Sequence, residues 1–194
     1  MTSAETRVLG DVATILRGTV PAKPTDSEDG VPFYGIAEIS AGGTGAQRLV
    51  EPDDGKPPTI LHAGDVVVAL MSNIGQSALL TSRHEGAVLG RECAVIRPAG
   101  PEATGAWIYV WTQSAQFRDQ AVRHTSGSTM PRLSYRALSD LTIPIPSLEQ
   151  QGGAEQMLDE FDSALWKVGQ LRSYLTELRT LEVELLLTKN GETE

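Results

Sequence analysis

The sequence is poor in the residues that build disulfides and metal centres, with one cysteine and three histidines among 194 residues. Cys93 cannot form a disulfide within the chain, and the alternating segment around it, Val88–Ile96, is typical of a strand. The histidines are scattered, and no second cysteine completes a zinc set. No apolar run approaches the length of a membrane span, and the N-terminus lacks the basic-then-apolar order of a signal peptide. We therefore expect a cytoplasmic protein without a metal, a disulfide or a membrane segment.

Basic residues are also scarce, because 16 Lys and Arg stand against 25 Asp and Glu, for a net charge of −9. Duplex binding draws most of its affinity from Lys and Arg releasing counterions, so this balance argues against a free-standing nucleic-acid-binding protein. Residues 82–140 are the exception, with 7 basic against 5 acidic residues. A mixed solvated surface explains that excess as well as a binding surface does.

No catalytic constellation is evident. The glycine-rich stretch at 41–45 lacks dinucleotide-loop spacing, and Pro57 follows Gly55-Lys56 where a phosphate-binding loop needs Ser or Thr. Ser72 and Ser128 lie in glycine-flanked loops, although neither is in a G-x-S-x-G elbow. Hydrolysis through either hydroxyl would need a base within hydrogen-bond reach. We expect a non-catalytic chain that binds no cofactor of its own.

What the sequence does contain is a series of short periodic segments, enough for one sizeable domain and an appendage. The predicted elements are a short helix at Arg7–Leu16, an extended segment at Val31–Ile39, a hairpin of Leu61–Leu70 with Gln76–Thr81, a strand at Val88–Arg97, a helix at Trp107–His124 and an extended segment at Leu138–Pro146. These patterns predict an α+β fold, a mixed α/β domain with several short strands followed by a long C-terminal coiled-coil helix.

The C-terminal pattern is a leucine seam with spacings of three and four residues that average near 3.4, as in a coiled coil. Ser147 and Gln150 fit a capping box at its start. We therefore divide the chain into a domain at 1–146 and a helix at 147–190. Such a helix measures about 50 Å and needs a partner helix, although folding back onto its own domain is the alternative. The residues predicted to mediate dimerisation are Leu165, Val168, Leu171, Leu175, Leu178 and Leu185.

Two polar loops offer binding chemistry. Met71–Gln76 and Ser126–Arg132 combine hydroxyls and amides with glycines that allow close backbone approach, and the second adds a positive charge. Hydroxyls and backbone N–H groups suit phosphate contacts, while Asn, Gln and Arg side chains can read base edges through paired hydrogen bonds. Taken alone, each loop is more often an ordinary turn than a binding loop.

Taken together, the segments resemble the specificity subunit of type I restriction-modification systems, specifically one target-recognition domain with its following spacer helix. The resemblance extends from Leu9 to about Leu187. It is carried by LGDVATILRGTVP (9–21), VPFYGIAEIS (31–40), LHAGDVVVALMSNIGQSALL (61–80), the helix from Trp107 and GSTMPRLSYRALSDLTIPIPSLEQQ (127–151). The order of these segments, ending in the passage from Leu138 to Gln150, is what makes the resemblance specific.

This resemblance implies a domain that contacts double-stranded DNA and a helix that sets the distance between two half-sites. The usual member has two of each, so the chain resembles a half subunit that pairs with itself as a homodimer or with another half. Adenine methylation with S-adenosylmethionine is expected in a separate methyltransferase subunit, and cleavage in a restriction subunit. The residues that we expect to contact DNA are Ser72, Asn73, Gln76, Arg83, Arg91, Arg118, Arg123, Ser128, Thr129, Arg132 and Arg136.

A second hypothesis keeps this fold and changes the role. The chain would then bind the methyltransferase as an assembly factor or decoy without reading DNA, and the net charge of −9 supports that reading. The acidic balance can also be reconciled with DNA recognition. Residues 151–187 hold 3 basic against 7 acidic residues, so the helix would dock on a partner that supplies much of the phosphate neutralisation.

Overall fold

The computed structural model describes residues 4–20, 26–40, 48–51 and 57–191, without the side chains of Ser40, Arg48, Asp162, Trp166 and 183–191. The glycine-rich stretch at 41–45, Gly55-Lys56 and the side chain of Leu185 lie outside this description. The chain forms two compact units, Met1–Ala154 and Glu155–Glu194.

Short strands alternate with short helices until the C-terminal helix begins. The strands are β1 Glu5–Val8, β2 Ala13–Arg17, β3 Asp26–Tyr34, β4 Arg48–Val50, β5 Val66–Ala69, β6 Ser77–Leu79, β7 Val88–Leu89, β8 Cys93–Pro98, β9 Thr125–Ser126, β10 Arg132–Leu133 and β11 Thr142–Ile145. The helices are α1 Leu9–Val12, α2 Ile36–Ser40, α3 Gly105–Thr112, α4 Ala115–Arg123, α5 Tyr135–Ser139 and α6 Leu148–Gly191, with a 3-10 turn at Ser82–His84. The predicted class, a mixed α/β domain with several short strands and a long C-terminal helix, is confirmed.

A four-stranded antiparallel sheet in the order β2-β8-β5-β6, called here the central sheet, organises the domain. Successive residues of β5 point to opposite faces, and all four are buried. Val66 and Val68 pack into one apolar cluster with residues of α1, α3, α4 and α5, whereas Val67 and Ala69 pack into a second with Tyr34. The sheet is therefore covered on both faces, which explains the β-branched run in β5.

The strand register defines two ends of the central sheet. Arg17 pairs with Ala94, and Ala69 with Cys93, so these residues lie at one end, which we call the loop end. At the opposite end β2 begins and β8 finishes, beside Asp65, which precedes β5. We call this the ion-pair end. Four strand residues separate the two ends by roughly 13 Å.

Three smaller sheets complete the domain. In the order β4-β3-β7, β3 pairs antiparallel with β4 and parallel with β7. The first and last strands, β1 and β11, pair antiparallel, with Glu5 opposite Ile145. The two-residue strands β9 and β10 form a hairpin in which Arg132 faces Ser126.

The predicted helix at Arg7–Leu16 is wrong. This segment consists of β1, one helical turn and β2, because β1 pairs with β11 and β2 with β8. Tertiary pairing overrides the weak helical spacing, and the expected stripe does not share one face, since Val12 is buried while Val8 is 38% exposed.

Other predictions are correct in part. The hairpin of β5 and β6 is confirmed, with Val67 opposite Ala78. Val31–Ile39 is extended only to Tyr34, because Glu38 Oε2 accepts a hydrogen bond from Gly35 N at 2.8 Å and the chain then turns into α2.

Two predicted elements are each divided. Val88–Arg97 forms β7 and β8 in different sheets, with the intervening turn around Arg91. Trp107–His124 forms α3 and α4, because the Ser114 hydroxyl accepts a hydrogen bond from Phe117 N at 3.2 Å and starts a new helix. In Leu138–Pro146, the extended part is β11, and its first two residues finish α5.

The start of α6 is anchored to the domain by a fully buried glutamine, Gln151. Its Oε1 accepts from Thr104 N at 2.9 Å, and its Nε2 donates to the carbonyls of Glu102 at 2.8 Å and Pro146 at 3.1 Å. The predicted capping pair is confirmed, because Ser147 N donates to the Gln150 side chain at 3.2 Å and Gln150 N to the Ser147 hydroxyl at 3.4 Å. Both amide side chains therefore satisfy backbone groups that the junction would leave unpaired.

Within the described ranges, none of the helices combines the length and hydropathy needed to cross a bilayer.

Candidate functional site

Three segments that are distant in sequence meet at the loop end of the central sheet. They are the β5–β6 turn, the turn between β7 and β8, and the β9–β10 hairpin. Leu70 N donates to the Glu92 carbonyl at 2.9 Å, and Leu133 N donates to the Leu70 carbonyl at 3.0 Å. Leu70 therefore ties all three together, and with them most of the predicted contact residues.

The β5–β6 turn presents its polar groups through a constrained backbone. Ser72 has φ of 58°, a left-handed conformation that costs a non-glycine residue about 1 kcal/mol. Three hydrogen bonds hold it, since Gly75 N donates to the Ala69 carbonyl at 3.0 Å, Gln76 N to the Asn73 carbonyl at 2.9 Å, and Ala69 N to the Gln76 carbonyl at 2.8 Å. Ser72 and Asn73 are exposed and Gln76 is half-buried.

This turn packs against α4. A Cβ at Gly75 would lie 3.3 Å from Cε1 of the buried Phe117, so the absence of a side chain allows the close approach. Phe117 and Ala121 form the buried face of α4, while Arg118 and Arg123 are exposed. The helix thus carries both predicted arginines beside the turn.

The β9–β10 hairpin projects its own polar loop. Gly127 has φ of 98°, and a Cβ there would lie 2.8 Å from the Met130 carbonyl oxygen, so only glycine fits. The following Ser128 and Thr129 are exposed, as is Arg132 at the start of β10.

At the base of these loops, Tyr135 lies close to several arginines. Its hydroxyl lies 3.2 Å from the carbonyl oxygen of Arg91 and 3.4 Å from that of Cys93. The Arg17 guanidinium carbon is 4.7 Å from the centre of the Tyr135 ring, and the charge of Arg132 also acts on the phenol. Burial raises the pKa of Tyr135, while the charges of Arg132 and Arg17 lower it by a smaller amount.

Arg17 and Tyr135 were missed by the sequence reasoning. The run from Arg132 through Tyr135 to Arg136, a basic and aromatic alternation, is a signal that could have identified Tyr135. Arg17 gave no local signal, because its partner in the ring contact is more than a hundred residues away in the chain.

Two of the predicted arginines are placed differently from the rest. Arg83 lies on the 3-10 turn after β6, at the ion-pair end, and its Nε donates to the Thr81 hydroxyl at 3.3 Å. Arg136 extends into solvent from α5, with its Nε 3.8 Å from a carboxylate oxygen of Asp140. The predicted set is therefore divided between the two ends, with Arg83 apart from the others.

Two charged pairs at the ion-pair end are satisfied within the domain. Arg97 donates to both carboxylate oxygens of the buried Asp65, at 2.8 and 2.7 Å, and this pairing raises the pKa of Arg97. His62 Nδ1 lies 2.6 Å from Glu85 Oε1, and Ala63 N donates to Glu85 Oε2 at 2.7 Å. These two hydrogen bonds lower the pKa of Glu85.

The described residues can be compared with the requirements of a hydrolase and of a metal site. Among them, neither Ser72 nor Ser128 has a histidine or a carboxylate within hydrogen-bond distance, so the base that a hydrolase needs is missing there. No group of three or more His, Cys, Asp or Glu in the same ranges could hold a metal ion. Cys93 is fully buried in β8, and burial raises its pKa to about 12, which keeps the thiol protonated.

Most of the predicted dimerisation residues are on the described part of α6. Their exposed fractions are large, 67% for Leu165, 63% for Val168, 58% for Leu171, 57% for Leu175 and 60% for Leu178. The backbone of Leu185 is helical as well. This row of side chains, with Phe161 and Leu181, forms a long apolar stripe on one helix.

Comparison with known proteins identifies several related chains. A curated relative, named as the specificity subunit of the type I restriction enzyme MjaX of Methanocaldococcus jannaschii, is 24% identical over 95% of this chain and 45% of its own length. A chain solved in a study of complex assembly and conformational transition of the type I R-M system superposes with a TM-score of 0.65, at 20% identity, over 94% of this chain and 44% of that one. The HsdS subunit from Thermoanaerobacter tengcongensis superposes with a TM-score of 0.60, at 18% identity, over 84% of this chain and 38% of its own.

The S subunit of the type I system from M. genitalium gives a further TM-score of 0.60, at 15% identity, over 86% of this chain and 41% of that one. The chain thus spans less than half the length of each of these relatives. The superpositions agree with the fold described above, and the model of the type I restriction modification DNA specificity domain matches residues 1–172. The chain belongs to that family.

Proposed function

We propose that this chain is the DNA sequence-recognition component of a type I restriction-modification complex. It contacts duplex DNA through the loop end and directs an adenine-specific methyltransferase, and a nuclease where one is present, to a two-part site. The observation that carries this proposal is the meeting of the β5–β6 turn, the Arg91 turn and the β9–β10 hairpin at one end of the sheet. Hydroxyl, amide and guanidinium groups are the donors and acceptors that phosphates and base edges require.

The division of labour within this surface follows from its geometry. Asn73 and Thr129 lie in turns that extend beyond the strands, where side chains can enter a groove. Arg91 and Arg132 lie at the base of those turns, closer to the position of a sugar-phosphate backbone. The proposed domain is residues 1–146, and the proposed spacer is residues 147–190.

The apolar stripe of α6 supports pairing with a second helix. Exposed leucines at coiled-coil spacing leave a large hydrophobic area in water unless a partner covers it. We propose a homodimer with antiparallel helices, which would read two half-sites in a near-symmetric arrangement. A helix of 44 residues is about 66 Å long, so its length can set the gap between half-sites.

A binding assay tests the DNA-recognition proposal. Selection from randomised duplexes, followed by titration of the selected sequence, is performed with the chain alone and with a type I methyltransferase subunit from the same genome. We expect selective binding that is stronger in the complex, because the acidic chain relies on its partner for phosphate neutralisation. Arg91→Gln combined with Arg132→Gln should weaken it roughly thirtyfold. A chain that improves methyltransferase assembly but selects no sequence would instead be the assembly factor or decoy.

The pairing proposal has its own test. Leu171→Asp with Leu178→Asp should convert a dimer to a monomer in analytical ultracentrifugation at micromolar concentration without lowering the melting temperature of the domain. Exchange of exposed polar residues of the same helix, Thr176→Asp with Thr180→Asp, is the matched control. A wild-type chain that sediments as a monomer would contradict the homodimer.

A further inference from the structure

The cluster at Tyr135 extends the proposed function, on which the following inference rests. We propose that Arg17 and Tyr135, together with Arg132, form a site for a DNA backbone phosphate that fixes the position of the loop end on the duplex. Neither Arg17 nor Tyr135 is among the sequence-predicted contacts. These residues would position the loop end on the duplex, whereas the turns would read the bases.

Arg17, Arg91 and Arg132 carry positive charge without an acidic partner in the described part of the chain. Among the residues that the structure describes, no carboxylate lies within ion-pair distance of Arg17, Arg91 or Arg132. Glu92, the acidic residue next in sequence, forms no ion pair with them either. The charges of Arg17 and Arg132 both act on Tyr135, and a phosphate bound between them would be attracted by both.

Tyr135 and Arg17 are held in place before any ligand binds. The Tyr135 hydroxyl is held against the backbone of the β7–β8 turn, so the ring has a fixed orientation. Arg17 lies over that ring, with its guanidinium carbon 4.7 Å from the ring centre, and this contact limits the positions that its side chain adopts. A planar fork held in place suits the bidentate recognition of phosphate, because less conformational freedom is lost on binding.

The position of Arg17 at the end of a strand also suits a backbone contact. Arg17 is the last residue of β2, whereas the turns with Asn73 and Ser128 continue past the strand ends. A group at the strand end contacts the outer backbone of a duplex whose groove is occupied by the turns. Base stacking on Tyr135 is disfavoured, since Arg17 already covers one face and the ring is half-buried.

The test measures salt dependence together with affinity. Arg17→Gln in the full chain should lower affinity for the selected and for a scrambled duplex by a similar factor, roughly tenfold. The slope of log affinity against log salt should fall by about 1 per domain, because one phosphate contact is lost. Arg7→Gln, the same change at an arginine whose Nη1 lies 3.7 Å from Glu102 Oε2, is the control and should alter neither quantity.

Variants at the tyrosine separate the ring from its hydroxyl. Tyr135→Phe keeps the stacking surface and should cost less affinity than Tyr135→Leu, which removes the surface under Arg17. Arg17→Lys keeps the charge without the planar fork, so we expect intermediate affinity with an unchanged salt slope. Circular dichroism melting checks that each variant is folded, and Arg17 is an exposed residue whose replacement should leave the melting temperature unaltered.

The possible results separate the phosphate site from the proposed function. A wild-type chain that binds selectively, with Arg17→Gln indistinguishable from Arg7→Gln, overturns the phosphate site and leaves the proposed function intact. Altered preference at a single base pair in Arg17→Gln overturns the phosphate assignment in favour of a base contact. Absence of selective binding by the wild type, alone and with the methyltransferase, overturns both the proposed function and this inference.

Discussion

At the ion-pair end of the central sheet, Arg97 donates to both oxygens of the buried Asp65 carboxylate. At the loop end, Arg17 lies over the ring of Tyr135, and the charge of Arg132 acts on the same side chain. The same residue type has a different consequence in each place. A guanidinium whose hydrogen bonds are satisfied within the domain contributes to stability, because its removal would leave a buried partner unpaired. A guanidinium without a carboxylate contributes little to folding and remains available to an external anion.

This comparison separates stability from binding within one sheet. Substitutions at the ion-pair end should change the free energy of unfolding and leave DNA affinity unaltered below the melting temperature. Substitutions at the loop end should do the reverse. Substitutions at the two ends can therefore show whether stability and DNA affinity depend on different residues.

Asp65→Ala should destabilise the domain by about 3 kcal/mol, because Arg97 then loses both of its carboxylate contacts while still partly buried. Urea unfolding followed by circular dichroism measures this loss. Affinity for the selected duplex, measured well below the melting temperature, should match that of the wild type. A large fall in affinity with unaltered stability would contradict the assignment of this end to folding.

If Asn73 reads a base edge as proposed, Asn73→Ala should relax sequence preference at one base pair by about 2 kcal/mol, because the paired hydrogen bonds of the amide are lost. The salt slope should stay the same, since no phosphate contact changes. Repeating the selection from randomised duplexes gives the measurement. Ser82→Ala, which removes an exposed polar group at the ion-pair end, is the control and should keep the wild-type preference.

Gly127→Ala should destabilise the β9–β10 hairpin by about 1 kcal/mol, because of its positive φ and the short distance from the new Cβ to the Met130 carbonyl. Amide hydrogen exchange of the hairpin and DNA affinity should both show the change. Gly100→Ala is a matched control near the ion-pair end, where a Cβ meets nothing within 4 Å. Equal behaviour of the two variants would mean that the hairpin adapts without cost.

Glu85→Gln should give the smallest effect, and one that depends on pH. Hydrogen bonds from His62 and Ala63 lower the pKa of Glu85 from its ordinary value of 4.5. A depressed carboxyl pKa contributes stability that is present above 4.5 and lost as the pH falls through the lower folded-state value. The melting temperature of the wild type should exceed that of the variant at about pH 7, and the two should converge at about pH 3. A difference that persists in acid would point to packing instead.

The parts of the fold that were predictable are those specified by neighbouring residues. The β5–β6 hairpin follows from a β-branched run, a polar turn and a second apolar run, and the α6 start follows from Ser147 and Gln150. The segment Arg7–Leu16 was misassigned because its strands are stabilised by partners far along the chain, at β8 and β11. A helical spacing over ten residues is too weak to compete with such pairing.

Within the candidate site, the loop residues with an obvious polar composition were predicted from the sequence, and those defined by spatial neighbours were not. Asn73 and Ser128 belong to the first kind. Arg17 belongs to the second, because its ring contact joins β2 to α5. Gln151 likewise was not predicted as an anchor, although it is fully buried and bridges Thr104 to the end of β11.

The amino-acid sequence by itself determined the family, the central hairpin and the long C-terminal helix, because these depend on local periodicity, turn residues and the order of segments. Only the tertiary structure decided which arginines are satisfied and which remain available. That distinction depends on distances between side chains from separate strands, such as the 2.7 Å contact of Arg97 with Asp65 at one end and the ring contact of Arg17 at the other. Charge pairing acts through space, and a linear pattern does not record it.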